Sequence, residues 1–152
     1  PLELFGPGTD SGTFDYFTDE INGEEGVSRT DYLATEDDNV AVQGVAGSKG
    51  GMAYFGLSYY EENTDKLKVL AIDGGGGPVT PSQETVQSGE YVPLSRPLFV
   101  YMAKASLERP EVAAVMQFYL DNLTQIAEQA LYVPLTEEQT AESQAALDAL
   151  LP

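Results

Sequence analysis

The segment Gly6-Pro7-Gly8-Thr9-Asp10-Ser11-Gly12 separates two runs of opposite periodicity. Before it, Leu2–Phe5 reads as a short strand that the Gly-Pro-Gly breaker ends. After it, Phe14, Phe17 and Ile21 fall at i, i+3 and i+7, the spacing of a helix with one apolar face. Asp10 or Ser11 caps that helix, and Gly23 stops it. A glycine-rich turn therefore joins a strand directly to a helix near the chain start.

The same alternation continues. Residues 22–35 form an acidic loop, and Thr35 with Asp38 predicts a capped helix through Ala46. Met52–Leu57 and Lys68–Ile72 read as strands, with a helical piece at Tyr59–Glu62 between them and the Gly74–Gly77 turn after them. Thr80-Pro81-Ser82-Gln83 carries the signature of a capped helix that Gly89 closes. Leu98–Met102 is a β-rich apolar run and the expected boundary between two regions. Beyond it, Val112, Val115, Met116, Tyr119, Leu120, Leu123 and Ile126 keep helical spacing over five turns after Pro110. Thr136 and Gln139 open a last helix holding Ala145, Ala146, Leu147, Leu150 and Leu151. Strands alternating with helices predict an α/β fold with a largely parallel sheet. The terminal helices carry more apolar face than two helices can bury against each other, so they require a partner surface.

Composition removes several chemistries. Seven Lys and Arg stand against 25 Asp and Glu, a formal charge of −18, and His, Cys and Trp are absent. Without a basic face the chain is not expected to bind nucleic acid. Thiolate catalysis, disulfides, zinc sites with Cys or His ligands and Ser–His–Asp triads are excluded. No run approaches the roughly 20 apolar residues of a membrane span.

The glycine-rich turn supports two readings. The first N–H groups of a helix lack intrahelical partners and, with the positive end of the helix dipole, form an anion site. Ser11 and Thr13 add hydroxyls, and Gly12 lets an oxyanion approach the backbone. The Gly-Lys-Ser/Thr ending of a nucleotide P-loop and the G-x-G-x-x-G dinucleotide fingerprint are both missing. The bland reading is an ordinary capped helix after a tight turn. Arg29 is the single cation among eleven acids up to position 48. Its planar fork matches an oxyanion, or it pairs with Asp31 or Glu25 on the surface.

These residues carry a family resemblance. Gly6–Phe17 (GPGTDSGTFDYF), Ser28-Arg29-Thr30-Asp31-Tyr32 followed by Glu36-Asp37-Asp38-Asn39, and Gly51-Met52-Ala53-Tyr54-Phe55-Gly56 resemble the phosphate-binding protein of the bacterial high-affinity phosphate ABC transporter. So do Tyr59-Tyr60, Leu94–Tyr101 and Tyr132-Val133-Pro134-Leu135. The resemblance spans nearly the whole chain in order. It implies a periplasmic-binding-protein type II fold at about half its usual length. Residues 1–95 are then the complete second lobe, a mixed sheet flanked by helices. Residues 96–152 are then a crossing strand and C-terminal helices that return to the first lobe, whose N-terminal part is absent.

By the same resemblance Ser11, Gly12 and Thr13 match the phosphate loop, with Arg29 supplying the arginine that some relatives place just before it. Thr9, Asp10 and Asn39 are further candidates, although Asp10 and Asn39 also suit helix capping. The resemblance implies a receptor that is not an enzyme, has no cofactor or metal, and holds inorganic phosphate between two lobes for delivery to a permease. Its partners are phosphate, the missing N-terminal half and the ABC transporter permease. It would be periplasmic or at the cell surface, with any export signal outside this chain. Two other classes stand beside it. One is an enzyme on phosphate esters with a metal held by Asp37 and Asp38; the other is an acidic protein-interaction module.

Overall fold

A computed structural model describes residues 1–151. The chain divides into two compact units, Pro1–Ser95 and Arg96–Pro152.

The first unit is built on a parallel sheet. Strand β1 (Glu3–Gly6) lies between β2 (Leu33–Ala34) and β3 (Gly51–Ala53), with Phe5 opposite Leu33 and Ala53. Helix α1 (Gly12–Asn22) connects β1 to β2, and α2 (Asp38–Gly47) connects β2 to β3. The order β2-β1-β3 makes the second connection pass back across β1. Right-handed crossovers in opposite directions place the two helices on opposite faces of the sheet. Alternation along β1 agrees with this. Phe5 points at α2, where a Cβ on Gly44 would lie 2.3 Å from its ring. Gly6 faces the other way, toward the rings of Tyr54 and Tyr32.

Burial follows the predicted periodicity in part. Phe14 of α1 and Ala41 and Val42 of α2 are buried. Ile21, expected on the same apolar face as Phe14, is exposed in the last turn of α1. Thr18 is fully buried, and its hydroxyl donates back to the Phe14 carbonyl at 2.8 Å and accepts from the Gly26 N–H at 2.8 Å. That polar pair fastens the acidic loop to α1.

Several elements differ from the sequence expectation. The Met52–Leu57 strand is only β3, and the next helix, α3, starts earlier, at Leu57–Glu61. Lys68–Ile72 has no ladder before Ile72; β4 (Ile72–Asp73) pairs antiparallel with β5 (Pro78–Val79) as a hairpin instead. Asp73 closes its glycine turn by accepting from the N–H groups of Gly75 and Gly77. Helix α4 (Gln83–Gln87) is capped by Ser82 with Thr85 as its box partner, not by Thr80. Asp37 caps α2 in place of Thr35, whose hydroxyl accepts from the Asp37 N–H. In both cases the cap is the residue immediately before the first helical position, with extended backbone and a side-chain oxygen in reach of the first-turn N–H groups.

The second unit is helical. A short 3-10 helix (Lys104–Glu108) leads into α5 (Pro110–Asp121), α6 (Leu123–Gln129) and α7 (Glu137–Asp148). The five-turn periodicity is thus split at Asn122. Leu107 and Leu147 are its buried side chains among the described residues. Gln117 of α5 and Gln144 of α7 exchange two amide hydrogen bonds, at 2.9 and 3.0 Å. The Thr136–Gln139 capping box forms as the sequence predicts, whereas Leu150 and Leu151 lie beyond the helix end. Leu131 ends α6 at φ 59, a left-handed position that usually takes glycine.

Leu98–Met102, expected as a crossing strand, forms no ladder. An extended run becomes a strand only when its N–H and C=O groups find a partner chain, and none of the described strands pairs with it. Its side chains stay exposed, Tyr101 by 87%. Val115 and Phe118 on α5 are each 65% exposed.

Candidate functional site

In a parallel sheet all strands point the same way, so the segments leaving their carboxyl ends gather at one edge. Here β1 runs into Gly6-Pro7-Gly8 and then α1; β2 runs into Thr35–Asp37 and then α2. The starts of two helices of opposite crossover therefore flank β1, the position where open α/β sheets bind ligands.

The two segments are tied together. The Thr35 N–H donates to the Gly6 carbonyl at 3.0 Å, continuing the β1–β2 ladder. The Tyr32 hydroxyl donates to the Pro7 carbonyl at 2.9 Å. Glu36 lies over Gly8 so closely that a Cβ there would sit 2.0 Å from its Oε1. Gly6, Pro7 and Gly8 are all buried as a result. Phe17 of α1 stacks on Tyr54 at a 3.8 Å centroid distance and an 11° interplanar angle. Burial, and secondarily the neighbouring Tyr32, push the Tyr54 phenol up to about 12.

Helix α1 starts with Ser11 as its N-cap, φ −98 and ψ 126, its Oγ accepting from the Thr13 N–H at 3.2 Å. The Ser11 N–H is taken by the Gly8 carbonyl at 3.2 Å, which curls Thr9 and Asp10 into the turn. Gly12 and Thr13 are exposed. Ser11, Gly12 and Thr13 thus sit together at an open helix start. The Thr13 N–H is already engaged, so an anion there competes with the Ser11 side chain for it. Asp10 is neither the cap nor the partner of Arg29.

Arg29 takes the surface pairing. Its Nε and Nη2 each donate to an Asp31 carboxylate oxygen at 2.6 Å, with both side chains well exposed. The hydrogen bonds to Asp31, and then its charge, raise the guanidinium pKa, and the same contact holds the Asp31 carboxyl below its ordinary value. An exposed pair of this kind contributes little to stability, but it orients the guanidinium and leaves Nη1 unused by Asp31. Only Thr30 and Asp31 separate Arg29 from Tyr32, which makes the Pro7 contact.

Asn39 lies in the first turn of α2, and its backbone and side-chain N–H groups both donate to Asp37 Oδ1, at 3.0 and 3.1 Å. Asn39 is therefore the capped residue, and Asp37 the cap. Burial, then the charges of Asp37 and Glu36, raise the Asp38 carboxyl. Among the described residues no three carboxylates converge in a metal-holding group, and Asp37 is committed to its helix. Local sequence assigns Tyr32 and Glu36 no role; their place over the turn depends on strand pairing that no local pattern encodes.

This arrangement defines an α/β domain with a capped helix start at the carboxyl edge of a parallel sheet. The sequence profile of the PBP superfamily domain matches residues 1–122, and the chain belongs to that superfamily. It is 48% identical over 139 residues to Protein SphX of Synechocystis sp., covering 91% of this chain and 41% of that protein. It is 34% identical over 152 residues to the phosphate-binding protein PstS of Staphylococcus saprophyticus, covering 99% and 46%. The crystal structure of a possible phosphate binding protein from Planctomyces limnophilus superposes with a TM-score of 0.86 at 43% identity, over 100% of this chain and 55% of that one. The chain thus spans less than half the length of the curated relatives it matches.

Proposed function

We propose that these 152 residues are the C-terminal half of a phosphate receptor of an ABC transporter. Residues 1–95 form its second lobe, and residues 96–152 return to the first. Inorganic phosphate is held by the α1 helix start, through Ser11, Gly12 and Thr13, and by Arg29, with Thr9, Asp10 and Asn39 at the margin. The missing N-terminal half supplies the other wall of the cleft and covers the exposed apolar residues of 96–152. The closed receptor delivers phosphate to the permease from the periplasm or cell surface, and no bond of the ligand is made or broken.

The observation that carries this reading is the Ser11-capped α1 start, with Gly12 and Thr13 exposed, at the carboxyl edge of the sheet. The names of the PstS relative and of the Planctomyces structure support phosphate as the anion. The charge of −18 does not oppose it. Salt screens exposed charges beyond about 8–10 Å, while helix N–H groups and one guanidinium act at contact distance.

The test is a 15N-resolved NMR titration of the chain with inorganic phosphate, against sulfate and chloride at matched ionic strength. Phosphate should shift the Gly12 and Thr13 amides selectively, with weak affinity because half the cleft is missing. Equal responses to all three salts would overturn the assignment.

A further inference from the structure

Thr18 and Asn22 fasten the near end of the Arg29 loop to the later turns of α1, the first accepting from the Gly26 N–H at 2.8 Å and the second donating to the Val27 carbonyl at 2.6 Å. Toward the start of α1 the loop is tied by Tyr32. Tyr32 ends the segment Ser28-Arg29-Thr30-Asp31-Tyr32, and its hydroxyl donates to the Pro7 carbonyl at 2.9 Å. Pro7 is buried and opens the turn whose Gly8 carbonyl receives the Ser11 N–H. The ring of Tyr32 lies against Gly6, where a Cβ would be 3.5 Å from it. From Tyr32 back to Arg29 the chain has no ladder, since β2 begins only at Leu33. The hydroxyl is thus a lateral fastening between the loop that carries the arginine and the turn that carries the helix start. The Arg29–Asp31 pair is internal to that loop, so it orients the guanidinium without setting where the loop lies.

We propose that Tyr32 is a positioning residue for phosphate: its hydrogen bond to Pro7 holds the Arg29 loop beside the Ser11–Thr13 helix start, so that both reach one anion. This rests on the phosphate reading above. A free loop must be ordered each time the ligand binds, and a preorganised one is not, so the fastening acts on affinity through Arg29.

Tyr32→Phe keeps the ring against Gly6 and removes only the donor. In the same phosphate titration it should weaken binding about three- to tenfold, the effect of one lost hydrogen bond. In an Arg29→Gln background the same substitution should change affinity by less than about twofold, because Tyr32 has no arginine left to position. A thermal melt of each variant separates loss of fold from loss of position. An equal loss in both backgrounds would make Tyr32 merely structural and overturn the proposal. Unchanged affinity in Tyr32→Phe, with Ser11 and Arg29 substitutions still weakening binding, would overturn it and leave the phosphate reading standing. No phosphate response in the unsubstituted chain would overturn both.

Discussion

The Tyr16 hydroxyl donates to the Pro93 carbonyl at 2.6 Å and shares the same hydrogen with the Ser95 carbonyl at 3.0 Å. A side chain one turn into the candidate anion helix is thereby fixed to the last residues of the first unit. The contact joins positions 77 and 79 residues apart, and Ser95 is held in turn by its hydroxyl donating to the Tyr91 carbonyl.

Tyr16→Phe should therefore lower the stability of the first unit by roughly 1–2 kcal/mol, since two partly buried carbonyls lose their donor. Urea denaturation followed by tyrosine fluorescence measures this. A midpoint unchanged within error would mean that water replaces the hydroxyl at no cost.

Gly44 and Gly47 of α2 offer a paired comparison. Alanine in place of glycine inside a helix contributes up to about 1 kcal/mol. At Gly47 nothing lies within 4 Å of the new methyl group, so Gly47→Ala should raise the melting temperature. At Gly44 the methyl group meets three atoms of the Phe5 ring between 2.3 and 2.8 Å. Overpacking there costs about 1–3 kcal/mol, so Gly44→Ala should lower the melting temperature despite the better helix former.

Ser11→Asp separates the two roles of the α1 start. Aspartate caps a helix about as well as serine, and its charge favours the helix N-terminus. Thermal stability should hold or rise slightly. A fixed carboxylate at the proposed anion position should abolish the phosphate response of the Gly12 and Thr13 amides. Retained binding would place the anion elsewhere.

Tyr54 gives the alkaline limit. Its phenol is raised to about 12 in the fold, mainly by burial, from an ordinary value of 10.0. The folded state therefore keeps a proton that the unfolded state loses, and stability is full below pH 10 and falls as pH rises from there toward 12. Burial shifts Tyr32 and Tyr91 in the same direction. Tyr54→Phe should flatten most of the decline in denaturation curves taken from pH 9 to 12, leaving a smaller slope from the other two.

Local signals were legible where the chemistry is local. The Thr136–Gln139 box, the glycine stop at Gly23 and the Ser11 cap need only residues within one turn of each other. The expectation failed where two local solutions compete, as at Thr35 against Asp37 and Thr80 against Ser82. It failed again for Lys68–Ile72 and Leu98–Met102, because β-propensity states what a residue tolerates and not which chain it pairs with. The Arg29 loop shows the same limit. Sequence offered Asp31 and Glu25 as surface partners, and geometry chose Asp31, two residues away.

The sequence by itself determined the strand-to-helix turn at Gly6–Gly12, a helix capped by Asp10 or Ser11, and the chemistries that a chain without His or Cys excludes. These follow from periodicity and from side-chain inventories, which are properties of neighbours along the chain. Only the tertiary structure decided that β2 pairs beside β1, and hence that Tyr32 and Glu36 close over the Gly6–Gly8 turn. Strand order depends on crossover handedness and on burying both faces of a sheet. Those terms are summed over the whole unit, and no window of sequence contains them.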